Sequence, residues 1–157
     1  MENEKVVYLF IIEDDEMYAS ALNHYLQIHL DNFKYNVSVR SFKTSENCLE
    51  AIAKDKTIMP DIIVLDYYLN GSNRNAVNGL SALLHLKIVN PETQIIFLSS
   101  QNKINLAVET MHAGAYDYIV KDKFAFQNVL NSLQRCLFEM KSTGKLIPDY
   151  SRKSASL

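Results

Sequence analysis

The sequence predicts an α/β fold, a doubly wound five-stranded parallel sheet with helices on both faces. Two observations lead to this prediction. Short apolar runs alternate along the chain with longer segments of helical period, and the runs are rich in Val, Ile and aromatic residues without polar interruption. Such continuous runs are typical of strands that are covered on both sides. Because strands alternate with helices and crossovers are right-handed, the strands are expected to lie parallel.

The five predicted strands are the short apolar runs at residues 6–12, 37–42, 62–65, 95–98 and 118–120. Each is followed by a predicted helix, identified by apolar residues spaced three and four apart. The five stripes are Met17/Ala21/Leu22/Tyr25/Leu26, Cys48/Leu49/Ile52, Leu80/Leu83/Leu84/Ile88, Ile104/Ala107/Val108/Met111 and Phe126/Val129/Leu130/Leu133/Leu137/Met140.

Composition limits the possible classes of protein. The chain has 157 residues, of which 48% are hydrophobic, enough for one core and too few for two ordinary domains. Sixteen basic against eighteen acidic residues give a net charge of −2, which does not favour nucleic acid as a direct partner. The longest apolar run is far too short to span a bilayer, and it lacks a signal-peptide cleavage site. We therefore expect a cytoplasmic protein without a membrane partner.

Polar groups follow four of the five predicted strands. In a parallel α/β sheet, ligands bind at the carboxyl ends of the strands, so these groups are expected to share one edge. Clustered carboxylates favour a hard divalent cation, and a lysine with a hydroxyl would complement a tetrahedral anion beside it. The groups are Glu13, Asp14 and Asp15 after the first strand, Asp66 after the third, Ser99 and Ser100 after the fourth, and Lys121 after the fifth.

Each of these groups also has an ordinary structural explanation. An acidic cluster after a strand is often a solvated turn or a helix N-terminus, where negative charge is favourable. A single aspartate at a strand end is commonly a cap, a Ser-Ser pair is a common turn, and most lysines lie on the surface. The combination, in chain order and at the ends of different strands, is what predicts a phosphoryl-transfer site.

Four motifs make the chain resemble the receiver domain of a two-component response regulator of the chemotaxis type. They are FIIEDDE, DIIVLDYYL, FLSSQ and AGAYDYIVKDKF, and the resemblance covers residues 5–140. The resemblance implies a flavodoxin-like fold with strand order 2-1-3-4-5. Residues 141–157 are then expected to be a tail or a truncated linker.

The resemblance also implies roles for the acidic residues. Asp66 would accept a phosphoryl group from the histidine of a sensor kinase or phosphotransfer protein. Glu13 and Asp14 would hold Mg²⁺ together with Asp66 and the backbone carbonyl of Tyr68. Asp15 lies outside the usual acidic pair and is interpreted as a helix N-terminal residue.

The remaining site residues would respond to the phosphoryl group on Asp66. By the same resemblance, Ser99 would hydrogen-bond one phosphoryl oxygen and Lys121 would pair with another. Tyr118 matches the aromatic residue that moves inward when the serine or threonine moves.

Two features depart from the family pattern. In the family, a proline usually follows the lysine that corresponds to Lys121. Here Asp122 takes that position, so a cis peptide bond after Lys121 is not assumed. An apparent insertion between Asn70 and Asn78 lengthens the connection after the third strand, and its Asn, Ser and Gly content predicts an exposed, mobile loop.

The leading functional hypothesis is a phosphorylation-dependent switch that catalyses only its own phosphoryl transfer and dephosphorylation. Its output is expected through the face of the fourth helix, fifth strand and fifth helix, toward a protein partner, a missing effector domain or a weak homodimer. Two alternatives remain. One is a phosphohydrolase with an aspartyl nucleophile, although Tyr68 stands where the dehalogenase-type DxD motif has its acid. The other is a degenerate receiver that binds partners without phosphorylation.

Overall fold

The computed structural model describes residues 5–33, 35–67 and 78–145. Five strands alternate with five helices, and two short 3₁₀ turns, Asp31–Phe33 and Lys56–Ile58, connect elements. The elements are β1 (Val7–Ile12), α1 (Glu16–Leu30), β2 (Val37–Phe42), α2 (Ser45–Lys54), β3 (Ile62–Asp66), α3 (Gly79–Val89), β4 (Gln94–Ser99), α4 (Ile104–His112), β5 (Asp117–Val120) and α5 (Ala125–Ser142).

The strands form one parallel sheet in the order β2-β1-β3-β4-β5, which confirms the predicted fold class and strand order. Helices α1 and α5 pack on one face of the sheet, and α2 and α3 pack on the other. The central strands β1, β3 and β4 are almost entirely buried, because helices cover them from both sides.

Helix α5 buries the apolar stripe that its sequence predicts. Val129, Leu133 and Leu137 are fully buried against the sheet. The helix ends in a Schellman motif: Lys145 N–H donates to the Met140 carbonyl, and Gly144, with φ 75°, takes the left-handed conformation. Thus α5 and its closing turn continue past residue 140, while residues 146–157 lie outside the described ranges.

The predicted buried faces of α1 and α3 are partly wrong. On α1, Met17 lies in the first turn of the helix and is 83% exposed. On α3, Leu84 and Ile88 face outward. The residues that α1 and α3 bury are Ala19, Leu22, Leu26 and Leu30 on α1, and Gly79, Ala82, Leu83 and Leu86 on α3.

Helix α4 shows the largest difference from the sequence prediction. Its predicted core stripe is exposed: Ile104 by 81%, Val108 by 49% and Met111 by 44%. Among the residues of α4, all of which are described, Thr110 is the buried one, and its hydroxyl donates to the Leu106 carbonyl at 2.7 Å. Gly114 ends the helix as predicted, with φ 102°. None of the helices in the described ranges combines the length and apolar character needed to cross a membrane.

Candidate functional site

The register of the sheet brings the predicted site residues to its carboxyl edge. The last residue pair of the β1–β3 ladder is Ile12 and Leu65. Glu13 and Asp66 directly follow this pair on the two neighbouring strands. Asp66 is opposite Leu98, the residue before Ser99. The β4–β5 ladder ends at Ser99, opposite the residue before Lys121. Parallel pairing therefore assembles residues that are far apart in the sequence.

Three carboxylates converge at this edge. One oxygen from each of Glu13, Asp14 and Asp66 lies within 4.8 Å of the others. Glu13 and Asp66 are 3% exposed, whereas Asp14 is half-buried. Carboxylate oxygens at this spacing suit a hard divalent cation, which takes oxygen ligands and neutralises the repulsion between them. The donor set thus fits the magnesium ion that the sequence predicts.

Lys121 is the cation that faces these carboxylates. Its Nζ lies 2.5 Å from Glu13 Oε2 and 3.2 Å from Asp66 Oδ1. Burial would lower the pKa of Lys121, but the hydrogen bond to Glu13 and the charge of Asp66 outweigh burial and raise it. Lys121 is therefore protonated, and the pocket holds one positive charge beside three carboxylates.

The pKa of Glu13 reflects its burial and the excess of negative charge in the pocket. Burial, with a further contribution from the charge of Asp66, outweighs the lowering effect of Lys121 and raises the pKa of Glu13 to about 7. The Asp15 N–H also donates to Glu13 Oε1 at 3.1 Å, which favours the ionised form. The Lys121 ammonium alone does not balance the pocket, and this imbalance is what a bound divalent cation would remove.

Ser99 and Tyr118 both contact Gln101, which lies between β4 and α4. The Gln101 N–H donates to Ser99 Oγ at 3.0 Å, and the Tyr118 hydroxyl donates to the Gln101 carbonyl at 2.6 Å. The Tyr118 ring stacks on Phe97, with ring centroids 5.8 Å apart. Ser99 is fully buried and Tyr118 is half-buried, so one backbone segment links an interior hydroxyl to a residue near the surface.

Sequence reasoning missed Tyr18. Its ring lies beneath the Lys121 ammonium, with Nζ 4.4 Å from the ring centroid. The available signal was its position in the first turn of α1, three residues after the capping Asp15. Sequence reasoning also did not identify Gln101 as the residue shared by Ser99 and Tyr118.

The flanking residues take structural positions. Asp15 caps α1 by accepting hydrogen bonds from the N–H groups of Met17 and Tyr18, both at 3.0 Å, which confirms its interpretation as a helix N-terminal residue. The described residues contain no cis peptide bond. Asp122 accepts a hydrogen bond from the Phe124 N–H at 2.8 Å, so it caps the turn where the family usually has proline.

Tyr68 and most of the apparent insertion between Asn70 and Asn78 lie outside the described residues. Residues at both ends of that connection are described. The Gly79 N–H donates to the Tyr67 carbonyl at 3.0 Å, and a Cβ at Gly79 would lie 2.6 Å from the Tyr67 Cα. The chain therefore returns beside the end of β3, and only glycine fits this approach without a shift of the backbone.

The fold is that of the response regulator receiver domain, whose family model matches residues 9–134. The chain belongs to this family. Receiver domains are signalling domains of two-component systems, and they interact with histidine kinases or phosphotransfer proteins.

Two curated relatives illustrate the range of this similarity. The chemotaxis protein CheY of Listeria monocytogenes is 27% identical over 125 residues, covering 80% of this chain and 94% of CheY. The transcriptional regulatory protein ZraR of Salmonella typhimurium is 24% identical over 143 residues, covering 91% of this chain and 29% of ZraR. The chain therefore spans less than a third of the length of ZraR.

Solved structures show the same fold. The BeF3-activated receiver domain of DrrB matches with a TM-score of 0.67 and 22% identity, covering 85% of this chain and 99% of that one. A response regulator of Burkholderia pseudomallei, solved with a phosphorylated aspartic acid, calcium ion and citrate, has a TM-score of 0.63 and 24% identity, covering 87% and 72% of the two chains.

Proposed function

We propose that this chain is a phosphorylation-dependent switch in which Asp66 accepts a phosphoryl group from a histidine of a sensor kinase or phosphotransfer protein. The observation that supports this proposal best is the cluster of Glu13, Asp14 and Asp66, with oxygens within 4.8 Å of one another and Lys121 between two of them. These three carboxylates, with the backbone carbonyl of Tyr68, are the proposed Mg²⁺ ligands.

In the proposed transfer, a carboxylate oxygen of Asp66 attacks the phosphorus of the donor. A P–O bond forms as the P–N bond to the donor histidine breaks, and the departing imidazole nitrogen retains the electron pair and takes up a proton. When bound, Mg²⁺ would neutralise charge on the phosphoryl oxygens. The chain itself supplies position and charge: Lys121 pairs with one phosphoryl oxygen, and the buried Ser99 hydroxyl donates to another.

The proposed signal leaves the site through Gln101. The Ser99 hydroxyl accepts from the Gln101 N–H and the Tyr118 hydroxyl donates to the Gln101 carbonyl, so movement of Ser99 toward a phosphoryl group alters both contacts. Because Tyr118 in β5 is also one of the residues that line an outer groove between β5 and α5, a change at Asp66 is transmitted to the surface.

The proposed output surface consists of α4, β5 and α5. The α4 stripe exposes Ile104, Val108 and Met111, and the groove between β5 and α5 has a volume of ≈ 670 Å³. Asp117 and Arg135 form an ion pair of 2.6 Å in the groove wall. An exposed apolar stripe and a polar groove suit a protein partner, and they also suit weak, phosphorylation-enhanced homodimerisation.

We further propose that the receiver unit, predicted to cover residues 5–140, extends through the closing turn of α5 to Lys145, and that the rest of 141–157 is a tail or linker. Since the chain covers 29% of ZraR but 94% of a CheY, both a single-domain regulator and one with an effector domain occur among its relatives. The output partner is therefore either a separate protein or such a domain.

The central experiment measures phosphorylation of the purified chain by a small phosphodonor such as phosphoramidate, with Mg²⁺, using intact-mass spectrometry. We expect one acid- and base-labile phosphoryl group, absent from Asp66→Asn and retained by Asp61→Asn, a matched change at the opposite end of the sheet. An adduct that persists in Asp66→Asn would disprove the acceptor assignment. Steady turnover of a generic phosphate ester would instead indicate a phosphohydrolase.

A second experiment separates acceptance from response. Lys121→Ala should keep part of the phosphorylation and lose the conformational change, because the lysine that reads the new charge is absent. Lys123→Ala, an exposed lysine two residues away, is the control and should behave as wild type. Amide NMR shifts along α4 on phosphorylation report the response, and an equal shift in the Lys121 variant would contradict the role.

A further inference from the structure

Tyr18 is the aromatic side chain against which the Lys121 ammonium packs. The Nζ atom lies 4.4 Å from the ring centroid, within the range of a cation–π contact. The same ammonium contacts Glu13 and Asp66 at 2.5 Å and 3.2 Å, so it has an aromatic contact in addition to its two carboxylates.

The ring itself is held in place from two directions. The Tyr18 N–H donates to the capping carboxylate of Asp15 at 3.0 Å, which fixes the start of α1. The ring then packs edge-to-face against Phe126 of α5, with centroids 5.2 Å apart and planes at 79°. An aromatic ring with a fixed backbone and a fixed neighbour is a defined contact surface for a long, flexible lysine.

The Tyr18 hydroxyl contributes little to this arrangement. The oxygen is buried and has no hydrogen-bond partner in the described part of the chain. If the contact with Lys121 depended on the hydroxyl, we would expect the hydroxyl oxygen to have a hydrogen-bond partner. The ring, whose negative face attracts a cation, is therefore the part that acts on Lys121.

The two carboxylates that hold Lys121 are also proposed metal ligands. When a divalent cation takes their oxygens, their attraction for the ammonium is shared with a stronger charge. The Tyr18 ring is uncharged and does not compete for that cation. It can hold the ammonium whether or not the carboxylates are occupied.

We propose that Tyr18 is a positioning residue for Lys121, its ring holding the ammonium where it reaches Asp66 and a phosphoryl group placed there. The effect on phosphorylation rests on the proposed function, whereas the contact can be measured without phosphorylation.

The first test is spectroscopic and uses the unmodified protein, with and without Mg²⁺. The ε-CH₂ signals of Lys121, assigned by their loss in Lys121→Ala, should be shifted upfield by the ring current. The shift should persist with Mg²⁺ and in Tyr18→Phe, and it should disappear in Tyr18→Leu. An unshifted signal in wild type, or the same shift in Tyr18→Leu, would overturn the proposal.

The second test is kinetic and includes a matched packing control. Tyr25 lies on the same helix and packs on Phe126 at 5.7 Å. Tyr25→Leu therefore removes a comparable ring from the α1–α5 contact. We expect phosphoramidate to phosphorylate Tyr18→Leu about 2- to 30-fold more slowly than wild type, the range of one cation–π contact. Tyr18→Phe and Tyr25→Leu should stay close to the wild-type rate.

The kinetic outcomes separate the two proposals. No phosphorylation of wild type would reject the switch, while the ring-current shift would still decide the Tyr18 contact. Equal rates in Tyr18→Leu and wild type, or an equal loss in Tyr25→Leu, would overturn the positioning role. A loss in Tyr18→Phe as large as in Tyr18→Leu would assign the effect to the hydroxyl and overturn it also.

Discussion

The two ends of the sheet use charge in opposite ways. At the amino end, where β1 and β3 begin, Asp61 accepts hydrogen bonds from Lys5 Nζ at 2.8 Å and from the Tyr8 N–H at 2.9 Å. Nearby, Lys145 pairs with Glu92 at 2.6 Å. Each of these carboxylates has its own cation. At the carboxyl end, Glu13 and Asp66 share one lysine, and Asp14 lies beside them.

The difference shows what distinguishes a structural charge from a functional one. At the amino end, the ion pairs link Lys5 to Asp61 and Lys145 to Glu92, so that the opposite charges balance each other. The carboxyl end keeps buried carboxylates without matching cations, at a cost in stability. That uncompensated negative charge can bind a divalent cation, and the bound cation would then neutralise the charge of a phosphoryl group placed beside it. Substitutions and solution conditions that act on either end test this difference.

The largest expected effect is the response of stability to pH and Mg²⁺. Glu13 has a pKa of about 7 in the fold against 4.5 as its ordinary value. Because the unfolded chain loses this proton first, the stability conferred by protonated Glu13 is fully present below pH 4.5 and is lost as pH rises through about 7. The loss should be at most about 3 kcal/mol.

Chemical denaturation at a series of pH values, with and without Mg²⁺, measures this loss. Mg²⁺ should reduce it, because the cation stabilises the ionised carboxylate. Glu13→Gln should lack this part of the pH dependence, which separates it from histidine titration in the same range. A fall of the same size in Glu13→Gln would contradict the assignment to Glu13.

The next effect is steric. Gly79→Ala places a methyl group 2.6 Å from the Tyr67 Cα, beside the end of β3. We expect a loss of about 1–3 kcal/mol in the free energy of unfolding, since the neighbouring atom is backbone. Unlike the loss caused by charge, this one should remain when Mg²⁺ is added. Full recovery with Mg²⁺ would mean that packing does not limit the stability of this end.

The same substitution at both ends tests the comparison directly. Asp66→Asn removes a buried like charge and should raise the free energy of unfolding by about 1–2 kcal/mol without Mg²⁺. Asp61→Asn removes a paired charge and should lower it by about 1 kcal/mol. Urea denaturation of both variants gives the two signs. Changes of the same sign would show that the two ends do not differ as described.

The smallest effect is expected at the exposed pair of the amino end. Lys145→Ala removes the partner of Glu92, but both side chains are largely in solvent, where ion pairs contribute little. The melting temperature and the phosphorylation rate should stay close to wild type. A marked slowing of phosphorylation would show that the two ends are coupled.

The strands and the chemistry of the site could be predicted from local patterns. A strand buried on both faces is a continuous apolar run, and a ligand site in a parallel sheet begins where such runs end. Glu13, Asp66, Ser99 and Lys121 were therefore identifiable by position, and the structure brings them to one edge. Their roles, and that of Tyr118, remain predictions, as does the part of Tyr68, which is outside the described residues.

Which helix faces are buried could not be predicted from the sequence. α4 and α5 carry apolar stripes of the same period, yet α5 buries Leu133 and Leu137 completely while α4 leaves Ile104 81% exposed. The spacing of apolar residues predicts which residues share a face of a helix. It does not state whether that face meets the sheet or the solvent, because this depends on the position of the whole helix over the strands.

The sequence by itself determined the fold class, the order of elements and the residues at the strand ends, because each of these follows from local hydrophobic pattern and the geometry of parallel strands. Only the tertiary structure decided which carboxylates share Lys121, how far burial raises the pKa of Glu13, and that the Tyr18 ring lies under the ammonium. These properties depend on distances and burial between side chains from different strands and helices, and such distances exist only after the elements have packed.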